Sequence, residues 1–381
     1  MKKLSFLFAF MSMLLVATTE SNAKNYVVPN HADWMSNLYD SIPIRKVSIP
    51  GAHDAATGTV NLAGTSCQNL NVNELFDAGV RYFDFRTGFT SGIEMRMYHG
   101  FVDVSRTFIG VMNDLYNKLE EHQDEFVIVE VTIESDTKQK DNCKDHLKSY
   151  FRPQYKDSSR DVCRTYWKKE SDYNRAKSKW MYFRPDLTVG DARGRVILLF
   201  NDEYDKPELM AGPYIPGRGD GPGSIAYIKC VNPTVDVTVH SQNDYHEDVF
   251  DNDVTLKFYN YVRPEIEQFT QIVEEHPDSM IWCMNFLSAY IHLIPNQWEI
   301  AGPVNALFAQ YVNQHPQCYL GIVLMDYCGC PIWKNMASDT VNGDIALEAV
   351  INNNRRYWDE KKIYGDGKKD RREPFEMNSN E

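Results

Sequence analysis

Short apolar segments that are rich in β-branched and aromatic residues recur along this chain, and they restrict its fold more than any other feature. They cover residues 46–49, 80–85, 94–98, 126–133, 196–200, 235–239, 280–286 and 321–325. Several are apolar throughout, which is typical of strands buried on both faces of a parallel sheet. Apolar residues at helical spacing lie between some of them, as in 108–119 and 304–312. This alternation predicts an α/β protein with a single distorted (β/α)8 barrel of the TIM type.

The remaining segments divide the chain around that barrel. Residues 24–360 are predicted to form one domain, in which the Gly- and Pro-rich stretch 212–223 is a loop insertion. A further helical pattern covers 258–273, and Pro264 is expected to interrupt it. Residues 361–381 are charged and lack apolar periodicity, so they are predicted to form a flexible tail.

The first residues have the pattern of a secretory signal peptide. Lys2 and Lys3 precede an apolar run over 4–17, and small residues follow at 21–23. The run is too short to span a bilayer comfortably, and a buried N-terminal helix is the alternative. The pattern predicts cleavage after residue 23 and a secreted protein, either extracellular or periplasmic.

The net charge of the chain is −13, and loss of the predicted signal peptide leaves it near −14. A protein this acidic is not suited to binding nucleic acid by counterion release. An anionic membrane would also repel it on average, so contact with lipid would depend on apolar groups or local basic patches. The apolar segment 290–295, with Trp298, either enters a lipid surface or packs as core. Eight cysteines permit disulfides, but their pairing cannot be deduced from the sequence.

Polar residues follow or close four of the apolar segments. They are His53, Asp54, Asp84, Arg86, His99 and Asp326. The first segment is expected to end in a turn at Pro50-Gly51, just before the first two of them. Side chains two apart on a strand point to the same side, as Asp84 and Arg86 do. In a barrel the carboxyl ends of the strands form the active-site rim, and closure makes the first and last strands neighbours. The sequence therefore predicts one site that contains all six residues.

These segments, in this order, resemble the X domain of bacterial phosphatidylinositol-specific phospholipases C. The matching segments are 48–54 (SIPGAHD), 79–86 (GVRYFDFR), 98–100 (YHG), 192–199 (ARGRVILL), 285–288 (NFLS) and 321–327 (GIVLMDY). The resemblance extends from about Trp34 to about Tyr327. It implies an enzyme, a phosphatidylinositol diacylglycerol-lyase, that acts transiently at membrane surfaces containing phosphatidylinositol. The protein is expected to be a monomer.

The resemblance also implies how the histidines work. The inositol 2-hydroxyl attacks the phosphorus, and His53 is the base that removes its proton, oriented by Asp326. His99 is the acid that protonates the departing diacylglycerol oxygen, assisted by Asp54. Histidine suits both tasks because its ordinary pKa lies near neutrality. The products would be diacylglycerol and a 1,2-cyclic inositol phosphate.

In the same resemblance, Arg86 binds the phosphate and Asp84 helps to place it. The calcium-dependent eukaryotic relatives carry an acidic residue where Arg86 stands. A guanidinium there would take the role of the cation and repel calcium, so no metal and no cofactor are expected.

The headgroup pocket departs from the family pattern. Thr132 and Ile133 stand where the bacterial enzymes have lysine, and Asn201 stands where they have an arginine that binds the inositol ring. Residues 242–245 resemble a ring-binding Gln-Asp-x-Tyr motif. Asn243 or Asp244 would then bond the ring hydroxyls, and Tyr245 would stack on the ring.

Two other functions remain open on the sequence. A non-catalytic lipid- or inositol-binding module would explain the missing basic residues. A metal-dependent phosphodiesterase would use His53, Asp54, Asp84 and His99 as ligands, and its activity would be lost on chelation. The retained acid, base and phosphate-binding groups favour the phospholipase.

Overall fold

The computed structural model describes residues 26–60, 62, 64–88, 94–134, 146–147, 150–151, 167, 169–201, 214–215, 221–231, 234–245, 253–290, 297–333 and 340–358. The predicted signal peptide, the charged tail 361–381 and residues 291–295 of the apolar segment 290–295 lie outside these ranges. Within them, no helix is both long enough and apolar enough to cross a bilayer.

Twelve strands join in one sheet over the described residues. They are β1 Ile49–Ala52, β2 Tyr82–Gly88, β3 Arg96–His99, β4 Val102–Thr107, β5 Val127–Ile133, β6 Trp180–Tyr182, β7 Val196–Asn201, β8 Tyr214–Ile215, β9 Ile225–Val231, β10 Thr234–Gln242, β11 Trp282–Phe286 and β12 Ile322–Met325. The α-helices are α1 Val72–Ala78, α2 Phe108–Glu121, α3 Glu170–Lys179, α4 Val189–Ala192, α5 Arg263–Glu275, α6 Gln297–Gln314 and α7 Gly343–Asn352.

The sheet closes into a barrel. Its order is β1-β12-β11-β10-β9-β8-β7-β5-β2, and β2 pairs again with β1. Eight of these nine described strands run in one direction, whereas β9 is antiparallel to both β8 and β10. The predicted distorted (β/α)8 barrel is therefore confirmed. The first and last strands are neighbours, as closure requires, with Ala52 opposite Met325.

Several strand assignments differ from the prediction, and the barrel strand β9 falls in none of the predicted segments. The segment 94–98 is not a barrel strand, because β3 pairs antiparallel with β2 and forms a hairpin with β4 beside the barrel. The Gly- and Pro-rich stretch 212–223, expected to be loop, contains the barrel strand β8. This strand has only two residues, so it is too short to leave a periodic signal in the sequence.

The strand β1 begins three residues later than predicted. Residues 44–46 form a 3-10 helix, and Pro50 and Gly51 lie inside the strand rather than in a turn after it. A Cβ atom at Gly51 would lie 3.2 Å from Leu324 Cγ and 3.2 Å from Tyr82 Cβ. The absence of a side chain at Gly51 therefore lets β1, β2 and β12 approach closely. In the sequence, Pro-Gly at this position is indistinguishable from the same pair in a turn.

The helical pattern around Pro264 changes type instead of ending. A π-helix over Lys257–Val262 continues directly into α5, and Pro264 lies in the first turn of α5. Proline lacks the N–H that the helix interior requires, so a change of helical register at this point accommodates it.

A buried ion pair lies just before the starts of β2 and β5. The Arg81 Nε donates to Glu125 Oε2 at 2.8 Å, and both side chains are fully buried. The guanidinium also donates to the carbonyl oxygens of Phe76 and Ala32, and Glu125 Oε1 accepts from the backbone N–H of Ser36. Because every described polar contact of this arginine is internal, removing its carboxylate leaves a buried positive charge without compensation.

Glu125→Ala is accordingly expected to lower the free energy of unfolding by about 3–5 kcal/mol, measured by urea denaturation. The matched control is Glu267→Ala, which removes the exposed partner of Arg263 (N–O distance 2.7 Å). That change should cost about 1 kcal/mol or less. If the two variants lost equal free energies of unfolding, burial of the Arg81–Glu125 pair would not increase its contribution to stability.

The cysteines that the structure describes are all buried thiols. They are Cys67, Cys230, Cys283, Cys318, Cys328 and Cys330. Cys283 lies in β11, as expected for a small buried apolar residue. Cys143 and Cys163 lie outside the described residues.

Candidate active site

His53 lies immediately after β1 at the carboxyl rim of the barrel. Its Nδ1 is 2.8 Å from Oδ1 of Asp326, which follows β12. The backbone N–H of His53 also donates to the Met325 carbonyl at 3.1 Å, so the neighbouring strand holds both ends of this pair. A carboxylate at Nδ1 fixes the ring in the tautomer that leaves Nε2 as an acceptor.

The Arg86 guanidinium, inside β2 near its carboxyl end, lies among three carboxylates. Its Nε is 3.1 Å from Asp54 Oδ1, one terminal nitrogen is 3.2 Å from Asp84 Oδ2, and the other is 2.9 Å from Glu134 Oε1. The same terminal nitrogen that contacts Asp84 is 2.7 Å from Nε2 of His53. The guanidinium is thus held by acidic groups on several sides and faces the histidine.

Asp54 connects the two histidines. Its Oδ2 lies 3.5 Å from His53 Nε2 and 3.4 Å from His99 Nε2. His99 is the last residue of β3, and it reaches this position because β3 runs back antiparallel to β2 rather than forming a further barrel strand. The backbone N–H of Asp54 donates to Asp84 Oδ2 at 3.3 Å.

Backbone geometry next to the two acidic groups is unusual. Asp54 has φ 45° and ψ 52°, and Tyr327, which follows Asp326, has φ 56°. Aspartate tolerates the left-handed region, but tyrosine does so only under constraint. Two contacts supply it, because the Tyr327 N–H donates to the Cys67 carbonyl at 2.8 Å and its hydroxyl donates to the Ser66 carbonyl at 2.8 Å.

The Gln68 side chain bonds backbone groups that follow β1 and β12. Its Nε2 donates to the carbonyls of His53 at 2.8 Å and Met325 at 3.0 Å, and its Oε1 accepts from the Cys328 N–H at 3.0 Å. The side chain is fully buried. It therefore holds the residues after β1 and β12 in a fixed relation.

Burial and the neighbouring charges shift the pKa values of the site. Burial lowers the pKa of His53, but the Asp326 carboxylate outweighs it, and the net direction is upward. Burial, then the Arg86 charge, lower the pKa of His99 to about 3. Burial raises the pKa of Asp54 to about 8 against the opposing effect of Arg86. These shifts favour the protonated form of Asp54 and the neutral form of His99.

Among the residues that the structure describes, two overlapping groups of side chains bring possible metal ligands within 4.8 Å of one another. They are His53, Cys67 and Asp326, and Asp54, Cys67 and His99. The Arg86 guanidinium is in direct contact with Asp54, so a cation in the second group would lie next to a fixed positive charge. Burial also raises the pKa of the Cys67 thiol well above its ordinary value, which disfavours the thiolate that a metal requires.

The predicted headgroup residues lie at the same rim. Asn201 ends β7 and is half-buried. Asn243, Asp244 and Tyr245 follow β10; the first is half-buried, the second is 8% exposed and the third is 45% exposed. The Tyr245 ring centroid is 6.1 Å from that of Tyr290.

Sequence reasoning missed three residues of this rim. Glu134 follows β5, contacts Arg86, and accepts from the Gly100 N–H at 2.5 Å. Gln68 lies in a loop, and Lys257 lies fully buried at the start of the π-helix. Only Glu134 had a usable signal, because it is a carboxylate that follows an apolar strand, as Asp326 does.

Comparisons with known proteins agree with the geometry. No family model matches the chain. A 1-phosphatidylinositol phosphodiesterase of Listeria monocytogenes is 25% identical over 183 residues, which are 46% of this chain and 51% of that protein. The chain thus matches about half the length of this curated relative.

Solved structures extend the likeness to the whole barrel. A phosphatidylinositol-specific phospholipase C from Staphylococcus aureus matches with a TM-score of 0.60 at 16% identity, over 85% of this chain and 97% of that one. The corresponding structure from Listeria monocytogenes matches with a TM-score of 0.56 at 19% identity, over 86% and 99%. The chain is therefore similar to the bacterial phosphatidylinositol-specific phospholipases C in its barrel fold and, over part of its length, in its sequence, as its motifs predicted.

Proposed function

We propose that the protein is a phosphatidylinositol-specific phospholipase C, which cleaves phosphatidylinositol to diacylglycerol and a 1,2-cyclic inositol phosphate without a metal ion. The observation that carries the proposal is the position of two histidine Nε2 atoms, of His53 and His99, within 3.5 Å of one Asp54 oxygen. Such a pair provides one acceptor and one donor on either side of a phosphodiester, which an internal displacement requires.

His53 is the base in this reaction. Its Nδ1 donates to Asp326, so Nε2 carries the lone pair that takes the proton of the inositol 2-hydroxyl. The oxygen then bonds to phosphorus as the bond to diacylglycerol breaks. The contact between Asp326 and the ring stabilises the imidazolium that forms, and the raised pKa of His53 has the same origin.

Arg86 binds the phosphate. In the free protein one of its terminal nitrogens occupies the His53 Nε2 lone pair at 2.7 Å. An anionic phosphodiester competes for this nitrogen, because a charge-assisted hydrogen bond to a phosphate oxygen is stronger than one to a neutral ring. Substrate binding therefore frees the base at the time when it is needed, and Asp84 and Glu134 retain the guanidinium.

His99 and Asp54 together are the acid. The shared proton resides on Asp54, and His99 Nε2 lies 3.4 Å away. As negative charge develops on the departing diacylglycerol oxygen, the pair delivers this one proton to it. The carboxylate left behind is stabilised by Arg86, whose Nε is 3.1 Å from it.

The pH profile of kcat/KM should be bell-shaped. The pair loses its proton as pH rises through the Asp54 pKa of about 8, so activity should fall about tenfold per pH unit above it. On the acidic side, activity falls as His53 becomes protonated. Because the His53 pKa is raised, this loss should begin at a higher pH than for an ordinary histidine. Asp54→Asn should lower activity and remove the alkaline limb. A wild-type profile that stays flat to about pH 10 would contradict the shared-proton assignment.

Substrate binding and location follow the family resemblance in this proposal. Asn201 and residues 243–245 receive the inositol ring, and the enzyme acts as a secreted monomer that binds transiently to lipid surfaces. The signal peptide over residues 1–23 is the basis for secretion. Its cleavage is checked by sequencing the N-terminus of the exported protein, which should begin near Lys24.

The proposal is tested by measuring phosphorus release from vesicles of phosphatidylinositol, phosphatidylcholine or phosphatidylglycerol. Each lipid is assayed once in EDTA and once in calcium without EDTA. Water-soluble phosphorus should be released from phosphatidylinositol alone, at equal rates in the two conditions. Release that requires calcium would favour the metal-dependent phosphodiesterase. Binding to phosphatidylinositol without release under either condition would favour the non-catalytic module.

A further inference from the structure

Lys257 is a buried lysine at the rim that the catalytic scheme does not use. Its side chain is fully buried at the start of the π-helix. The Nζ donates to Gln242 Oε1 at 2.8 Å and to the backbone carbonyl of Asp244. Both acceptors lie at the carboxyl end of β10, where the predicted headgroup residues begin.

The contacts of Lys257 belong to a network that connects three elements. Gln242 Oε1 also accepts from the Asp244 N–H at 2.9 Å, and Gln242 Nε2 donates to Asn285 Oδ1 at 2.8 Å. Asn285 Nδ2 in turn donates to the Val262 carbonyl at the end of the π-helix at 2.9 Å. The Gln242 and Asn285 side chains are fully buried. The network therefore fixes the path of residues 243–245, which we call the headgroup segment.

The charge of Lys257 is costly to bury. No ion pair joins it to a carboxylate among the residues described here, and its acceptors are an amide and a carbonyl. Burial lowers the pKa of the ammonium to about 7, and the Asp244 and Asp326 charges only partly oppose this. An apolar side chain of similar length would fill the space without that cost, so packing alone does not account for a lysine here.

The catalytic groups and the headgroup segment are therefore supported by different contacts. Gln68 bonds the His53 carbonyl and the backbone near Asp326, whereas the Asp244 backbone bonds Lys257 and Gln242. Asp244 is 8% exposed and has a side-chain hydrogen bond with Tyr261, whereas the Tyr245 ring is 45% exposed at the rim. A polyol ring needs such acceptors and a stacking face held in fixed positions.

We propose that Lys257 is a positioning residue for headgroup recognition, which holds the headgroup segment in the conformation that binds the hydroxyls of an inositol ring. The inference rests on the proposed function and adds the residue that sets substrate affinity. Lys257 acts through Gln242 and the Asp244 carbonyl rather than by touching the phosphate. Its loss should weaken ring binding far more than it alters proton transfer, to which Lys257 is linked only through its interaction with the Asp326 charge.

The test compares wild type with Lys257→Met, using myo-inositol as a competitive inhibitor and a short-chain phosphatidylinositol as substrate. The inhibition constant of inositol and KM should rise by about tenfold to a hundredfold, as expected for lost hydrogen bonds to a charged group. The rate constant kcat should change by less than about threefold. The matched control is Lys118→Met. Lys118 on α2 is partly buried, and its Nζ lies 2.7 Å from Oδ1 of Asp77 on α1. This variant should leave both constants unchanged.

Gln242→Asn is the second variant, in case Lys257→Met does not fold. It shortens the side chain by one methylene and withdraws Oε1 from both Lys257 and the Asp244 N–H. The same rise in the inositol inhibition constant is expected. A lower melting temperature in either folded variant, with the inhibition constant unchanged, would overturn the inference, because a purely structural role predicts that result.

The two proposals fail in different ways. Direct binding of myo-inositol is followed by saturation-transfer NMR, which does not depend on turnover. If wild type binds inositol but releases no product, the proposed reaction is wrong, and the effect of Lys257→Met on inositol binding still decides the positioning role. If wild type cleaves the lipid and the variant binds inositol equally well, only the positioning role is wrong.

Discussion

Replacing His53 with alanine is expected to lower kcat by about ten-thousand-fold, because the 2-hydroxyl then has no base within reach. The ring is held by Asp326 at 2.8 Å and by its backbone bond to Met325, so its Nε2 position is defined before substrate arrives. KM should change much less than kcat, since the 2-hydroxyl is the one headgroup contact that the scheme gives to His53. The measurement is single-turnover cleavage of phosphatidylinositol under saturating conditions.

His122→Ala is the matched control for this variant. His122 also bonds a carboxylate through Nδ1, at 2.7 Å from Asp33, but it lies at the end of α2, outside the site. Its activity should equal that of wild type. If His53→Ala kept more than about a hundredth of the wild-type rate, another group would have to be the base.

Replacing Arg86 with methionine is expected to lower kcat/KM by about a hundred- to a thousand-fold, as loss of a preorganised phosphate-binding group does. It should also lower the free energy of unfolding by roughly 3 kcal/mol, because three carboxylates lose their shared cation. Those carboxylates are Asp54, Asp84 and Glu134. The measurements are steady-state kinetics and urea denaturation of the same preparation.

Two further variants separate charge from geometry at this position. Arg86→Lys keeps the positive charge but cannot contact all its present partners, so it should recover stability more fully than activity. Arg96→Met removes a partly exposed arginine of β3, whose Nε lies 2.5 Å from Asp103 Oδ2. This variant should keep the wild-type activity. Near-wild-type activity of Arg86→Met would remove the phosphate-binding role.

Much of the barrel was predictable because its central strands are apolar and continuous. The segment 126–133 matches β5, and 196–200 matches β7 within a residue. One strand that was missed and one that was misplaced have weaker patterns for physical reasons. The strand β8 is two residues long, and β1 contains a proline and a glycine that its close neighbours require. Local sequence does not report such tertiary demands.

The site was predictable where polar residues follow apolar strands. Asp326 and His53 come together because barrel closure makes β1 and β12 neighbours, a constraint that the topology alone imposes. His99 reaches the site by a hairpin instead, so its position beside Asp54 was expected for the wrong structural reason. Lys257 gave no signal, because a lysine in a helical segment is usually exposed and its burial depends on contacts distant in sequence.

The most direct test of the central claim is phosphorus NMR of the wild-type protein acting on phosphatidylinositol in EDTA. An internal attack by the 2-hydroxyl, with His53 as base and Arg86 in place of a metal, predicts that the first phosphorus product is the five-membered 1,2-cyclic inositol phosphate. Any acyclic inositol phosphate should appear only later, from hydrolysis of that product. An acyclic phosphate at the earliest times, or no product until calcium is added, would contradict the account.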